Sequence, residues 1–218
     1  MKKTIYIFLW AVGALIFSYC GSPNKKPPSP VLSDSLPHLT WRPHPDSLEP
    51  YDFDTSLKGG YTIQFRADDS NEYLFLKKDT FSKEIASFTR GMQYLNLGYE
   101  VSDFSNYFVL AHSFGSGNPH PIELIEKSTG QNILDSDAVW IDANAASELL
   151  LYSRYNTEDG KIILYDVKRK QNKYLDLPKG FANDARSLEN IRILKITDDK
   201  VTIGYSRAGV EKKKTYNR

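Results

Sequence analysis

The sequence predicts an all-β domain, laid out as an antiparallel meander of repeated strand units. Three observations carry that expectation. Short apolar runs rich in Ile, Leu and Tyr alternate with polar turns. Aromatic residues are abundant, with 14 tyrosines and 11 phenylalanines, a composition that favours sheet over helix. Finally, a strand-turn-strand unit returns along the chain at intervals of about forty residues.

Taken in order, Tyr61–Arg66 alternates cleanly, with Tyr61, Ile63 and Phe65 facing in and Thr62, Gln64 and Arg66 facing out. A turn at Asp68–Asn71 leads into Glu72–Lys77 and on to Lys83–Phe88. The next unit comprises Tyr107–His112, Pro121–Lys127, a Ser128-Thr129-Gly130 turn and Gln131–Leu134. In Glu148–Leu177 the strands are Leu149–Tyr152, Ile162–Val167 and Lys173–Leu177, with Asp159-Gly160 as the first turn. Ile162 and Leu164 point to one face of the middle strand and Ile163, Tyr165 and Val167 to the other, so both faces should be covered. The last strands are Ile191–Thr197, Lys200–Tyr205 and Val210–Tyr216, and Asn183–Asn190 is the one segment expected to form a short helix.

The segments Ile162–Gln171, Ile122–Gln131 and Tyr73–Ser82 read as variants of one motif. They resemble the third strand and turn of a β-propeller blade, with Tyr165-Asp166 standing where the WD40 family often has Trp-Asp; the Gly-His signature of that family is missing. The resemblance implies a propeller-like ring or an open stack of sheets. Four units make a very small ring, and Tyr61–Arg66 and Val201–Ser206 each carry one polar or small face, which favours open ends. A β-sandwich is the alternative arrangement.

Ahead of this domain, residues 51–218, the composition changes twice. Lys2 and Lys3 precede an uncharged apolar segment, Ile5–Phe17, that runs into Ser18-Tyr19-Cys20-Gly21. That segment is shorter than the roughly 20 residues of a membrane span and reads as a secretory signal over residues 1–19. It resembles a bacterial lipoprotein leader, with Tyr19 and Phe17 departing from the usual lipobox. The resemblance implies that Cys20 receives a lipid (palmitate among its acyl chains) and holds the protein on the cell envelope, in the periplasm or at the outer-membrane surface. An ordinary signal peptide, an uncleaved anchor and a buried free thiol are the other readings of Cys20. No second cysteine exists, so the fold is expected to rest on its core without disulfides. Residues 20–50 hold eight of the 11 prolines and no apolar run, and read as an extended tether. Trp41, near its end, is a candidate to dock the tether or to bind a partner.

Composition narrows the function. Removing residues 1–19 takes away two lysines and no acids, turning the formal net charge from +1 to −1. That balance gives no general attraction to nucleic acid or to an anionic membrane. The run Glu211-Lys212-Lys213-Lys214 reads as a solvated strand face. The stretch richest in chemistry is His112–Pro121 (HSFGSGNPHP), where Ser113 and Ser116 offer hydroxyls and His112 and His120 offer bases. It lacks the Gly-x-Ser-x-Gly elbow of a serine hydrolase and reads first as a Gly- and Pro-rich hairpin loop. No histidine has a companion at metal-ligand spacing, and Asp135 and Asp137 beside it read as turn residues, so neither metal nor cofactor is expected. The expectation is thus a non-catalytic, monomeric envelope lipoprotein that binds a protein or glycan partner through loops or a sheet edge. Candidate contacts are Trp41, Tyr155, His112, Phe114 and Asn118; a hydrolase using Ser116 or Ser113 with His112 or His120 is the alternative.

Overall fold

The computed structural model describes residues 53–90, 97–112, 120–155, 161–177, 188–207 and 209–218. Residues 1–52, with Cys20 and Trp41 among them, lie outside these residues. Among the described residues the elements are fifteen strands and one 3-10 turn, Lys58–Gly60. Four antiparallel meander sheets follow one another along the chain. The first orders β1 (Phe53–Ser56), β2 (Thr62–Ala67), β3 (Asn71–Lys78) and β4 (Phe81–Thr89). The second orders β5 (Tyr99–Asp103), β6 (Tyr107–Ala111), β7 (Ile122–Glu126) and β8 (Gln131–Asn132). In the third, β9 (Ala138–Asn144), β10 (Leu149–Arg154), β11 (Lys161–Asp166) and β12 (Gln171–Asp176) are paired in sequence order. The fourth holds β13 (Ile191–Ile196), β14 (Lys200–Arg207) and β15 (Val210–Asn217).

The repeat unit is therefore one strand longer than the three-strand unit read from the sequence, because β1, β5 and β9 precede the expected strands. The motif segments beginning at Tyr73, Ile122 and Ile162 all fall on the third strand of their sheets, β3, β7 and β11. In the third of these, the Asp166 carboxylate caps its own turn, accepting the Arg169 backbone N–H at 2.9 Å. The other carboxylate oxygen accepts from the Arg218 guanidinium at 3.0 Å, and Arg218 also donates to the Ser147 carbonyl. Of the short helix expected over Asn183–Asn190, only Leu188–Asn190 is described, where the chain turns into β13.

Alternation decides how the sheets pack. Ile162 and Leu164 enter one buried cluster with Ile191, Val201, Ile203 and Tyr205, while Ile163, Tyr165 and Val167 enter another with Tyr107, Val109 and Leu124. The middle strand is covered on both faces, as its two apolar sides require. A third cluster joins Ile63, Phe65, Leu74 and Leu76 of the first sheet to Phe108, Leu110 and Ile125 of the second. Each cluster thus joins consecutive sheets, and none among the described residues joins the first sheet to the fourth. A two-sheet sandwich would hold one such layer; here there are three in series.

Polar side chains lock the layers together. The Lys127 ammonium is buried, at 1% exposure, between the first and second sheets. It pairs with the Asp103 carboxylate at 2.7 Å and donates to the carbonyls of Phe104 at 2.7 Å and Lys58 at 3.0 Å. Asp103 is tied in turn to the Lys58 backbone N–H at 2.6 Å. Between the third and fourth sheets, buried Asp142 accepts the Ile193 N–H at 2.7 Å and the Ala143 N–H at 2.9 Å. Gly130 sits at φ +70°, and a Cβ there would come 2.6 Å from Lys83 Cγ, so glycine lets the β7–β8 turn lie against the first sheet.

Two outcomes follow. Lys127→Met should lower unfolding stability by about 2–4 kcal/mol in urea titrations, because it strands the half-buried Asp103 carboxylate and the carbonyls around it. Glu100, on β5, has its carboxyl pushed up by burial and then by the Asp103 charge. The folded state therefore holds that proton more tightly than the unfolded chain, and stability is lost as pH rises through the raised value. Glu100→Gln should melt above the wild type at neutral pH, and the gap should close as pH falls to the ordinary glutamate range.

Candidate functional site

The β6–β7 loop is rooted by a cross-strand hydrogen bond from the His112 N–H to the Pro121 carbonyl, 2.9 Å. Ser113, Phe114, Ser116 and Asn118 lie outside the described residues, whereas His112 and His120 stand at the two ends of the loop. The His112 imidazole Nε2 lies 3.0 Å from the Glu123 carboxylate, with both side chains partly buried. The register explains the pair: Glu123 is opposite Leu110, two residues before His112 on the same side of the hairpin. Such a carboxylate orients the ring.

His120 turns toward β5 instead. Its Nδ1 is 3.4 Å from the Tyr99 hydroxyl, and the two rings meet edge to face at 6.4 Å. Gly98, at φ +91°, brings the chain close to the end of β6: a Cβ there would come 2.6 Å from Leu110 Cγ and 3.0 Å from His112 Cε1. The His120 carbonyl accepts the Trp140 N–H at 2.9 Å, and Pro121 bridges to Val139. The loop ends are thereby joined to the start of β9 in the next sheet.

From Trp140 the same end of the third sheet continues outward. Trp140 pairs with Tyr152 across β9 and β10, and Arg154 follows opposite Ala138. Arg154 forms an ion pair with Asp135 and lies 4.0 Å from Asp137, while the Tyr155 N–H donates to the Asp137 carbonyl. The two aspartates considered beside the histidines as metal ligands are thus turned to Arg154. Tyr155 is 52% exposed and Tyr174 58%. Burial pushes the Tyr152 hydroxyl up to about 12, so it stays protonated as the floor of this region.

The result is a strip of His120, Tyr99, Trp140 and Arg154 running from the second sheet to the third, on the face of the second sheet that carries Ala111, whereas His112 and Glu123 lie on its other face with Leu110. Among the sequence candidates, His120 belongs to it, Tyr155 follows Arg154 at the end of β10, and His112 lies across the second sheet with Glu123. Tyr99, Glu123, Trp140 and Arg154 were not anticipated. Glu123 could have been found from the hairpin register once Pro121 was paired with His112. Trp140 and Tyr99 could not, because β5 and β9 were not read as strands. Chemically, the strip combines the half-buried faces of Tyr99 and Trp140 with the Arg154 guanidinium, residue types that concentrate contact energy at binding surfaces, and the His120 imidazole.

No protein-family model matches this chain, and no curated protein matches it either. Among the solved structures similar to it are the following two. A prolyl endopeptidase aligns at 14% identity with a TM-score of 0.42, over 76% of this chain and 25% of that one. An uncharacterised protein from Listeria monocytogenes aligns at 12% identity with a TM-score of 0.34, over 78% of this chain and 55% of that one. The chain therefore spans about a quarter of the first neighbour and about half of the second. It is defined by its own architecture, four antiparallel β-sheets in series with an aromatic and histidine strip across the middle two.

Proposed function

We propose that this is a lipid-anchored cell-envelope protein that binds a protein or glycan partner through the strip around His120, Tyr99 and Trp140. The observation that carries the reading is the fixed placement of that strip. Each of its backbone positions is tied by a strand pair or a cross-sheet hydrogen bond, so little ordering entropy is left to lose on binding. Glycans stack on aromatic faces and accept hydrogen bonds from imidazole and guanidinium; a protein surface uses the same groups as anchors. The leader and Cys20 supply the envelope attachment in this reading, and the Pro-rich segment supplies the reach.

One observation favours a second reading. The His112–Glu123 pair has the orientation of a base held by a carboxylate, which is two-thirds of a nucleophilic triad. Ser113 or Ser116 would be the nucleophile of a periplasmic or surface hydrolase.

The readings separate by experiment. The detergent-solubilised full chain, used as bait on envelope extracts, should retain a stoichiometric protein or a glycan that Tyr99→Ala/His120→Ala loses by at least tenfold. Equal recovery by both baits would contradict the role of the strip. Under the hydrolase reading, Ser113→Ala or Ser116→Ala should abolish turnover of ester substrates at unchanged partner recovery. For the anchor, Cys20→Ser should move the protein from the membrane to the soluble fraction, and continued membrane association would remove lipidation from the account.

A further inference from the structure

The fourth sheet has one face on its core and one turned away from it. Val201, Ile203 and Tyr205 are buried, so Lys200, Thr202 and Gly204 and their cross-strand partners lie on the far side. Pairing places Arg192 and Lys213 beside Gly204, Lys195 and Thr215 beside Thr202, and Asn217 beside Lys200. Four cations from three strands, Arg192, Lys195, Lys200 and Lys213, therefore share one surface. The acidic groups around it are Glu211, opposite Ser206 on the same side, and Asp198 and Asp199 in the β13–β14 turn.

Two features distinguish this surface from a merely solvated strand face. Among the described residues, none of the ion pairs involves Lys195, Lys200 or Lys213. The outward face of the first sheet, by contrast, neutralises Arg66 with Asp54 at 2.7 Å. In addition, Leu194 stands among the cations at a register shift of β13, 50% exposed, with its branched end over Gly204. A Cβ at Gly204 would come 2.7 Å from Leu194 Cδ1, so the glycine is what allows the leucine to lie there.

An apolar side chain ringed by lysines that the protein leaves unneutralised matches an anionic bilayer, where headgroups meet the charges and the interface accepts the leucine. We propose that this face of the fourth sheet docks on an anionic phospholipid surface; the inference takes from the envelope reading only that a bilayer is within reach. Mobile headgroups satisfy Lys195, Lys200 and Lys213 without a matched set of fixed carboxylates, and lysine stems are long enough to follow them, whereas Arg192 at the edge already donates to the Ile191 carbonyl. The near-zero net charge of the chain makes the attraction a property of this face.

The test is cosedimentation of the full chain carrying Cys20→Ser with vesicles of phosphatidylcholine alone or mixed with phosphatidylglycerol. Lys195→Glu/Lys213→Glu in the same background cancels whatever the apolar leader contributes. The parent should prefer the anionic vesicles, with binding that weakens as salt rises, and the double variant should lose that preference by at least about tenfold. Leu194→Ser should weaken anionic binding severalfold at an unchanged salt slope. An equal affinity for both vesicle types, or a double variant that binds as its parent does, overturns the proposal. So does displacement by inorganic phosphate at matched ionic strength, which would assign the cations to a free anion. If charge reversal impairs folding by circular dichroism, Lys195→Gln/Lys213→Gln replaces it, with the same outcomes read at smaller amplitude. The Cys20→Ser fractionation above tests the anchor independently of this result.

Discussion

The buried ammonium of Lys127 is the constraint on which the first half of the molecule depends. Taking a lysine to 1% exposure is costly unless every donor finds an acceptor. Here the acceptors come from separate places in the chain: the Asp103 carboxylate and Phe104 carbonyl at the end of β5, and the Lys58 carbonyl in the 3-10 turn of the first sheet. The charge is satisfied only when both sheets are in register. Apolar layers alone would tolerate a sliding contact, since burial is not directional. The lysine supplies the direction.

The same division of labour recurs further along. Asp142 receives the Ile193 N–H between the third and fourth sheets, and Asp166 receives Arg218 from the end of the chain. Each of these side chains has an apolar layer beside it, and each fixes the position of the next sheet along the stack. The candidate strip inherits its rigidity from this arrangement. His120 and Trp140 are joined by one backbone hydrogen bond across the junction of the second and third sheets, and that junction is held by the cluster around Tyr107, Val109 and Ile163.

The first strands of three sheets escaped the sequence reading for a physical reason. Strand β1 is four residues long and β5 five, both with acidic residues interrupting the alternation. Strand β9 reads Ala-Val-Trp-Ile-Asp-Ala-Asn and changes register against β10 between Leu151 and Tyr152, which breaks its period of two. Each such strand gains its place from neighbours contributed by the rest of its sheet. Since Tyr99 and Trp140 lie on β5 and β9, the part of the candidate site that was missed is the part carried by those strands. His112, His120 and Tyr155 were legible because they sit at the ends of strands with strong apolar patterns of their own.

By itself, then, the sequence determined the class of structure and the two-faced middle layers. The alternation at Ile162–Val167 and the one-sided pattern at Tyr61–Arg66 are local, and a strand's period of two transmits them directly to the faces of its sheet. It also determined where the third strand of each repeat falls, because strand and turn are neighbours in the chain. Only the tertiary structure decided the fourth strand of the unit, the acceptors gathered around Lys127, the carboxylate beside His112, and the gathering of Arg192, Lys195, Lys200 and Lys213 on one face. These depend on pairing registers and on contacts between residues far apart in the chain, and a pattern read along one strand contains neither.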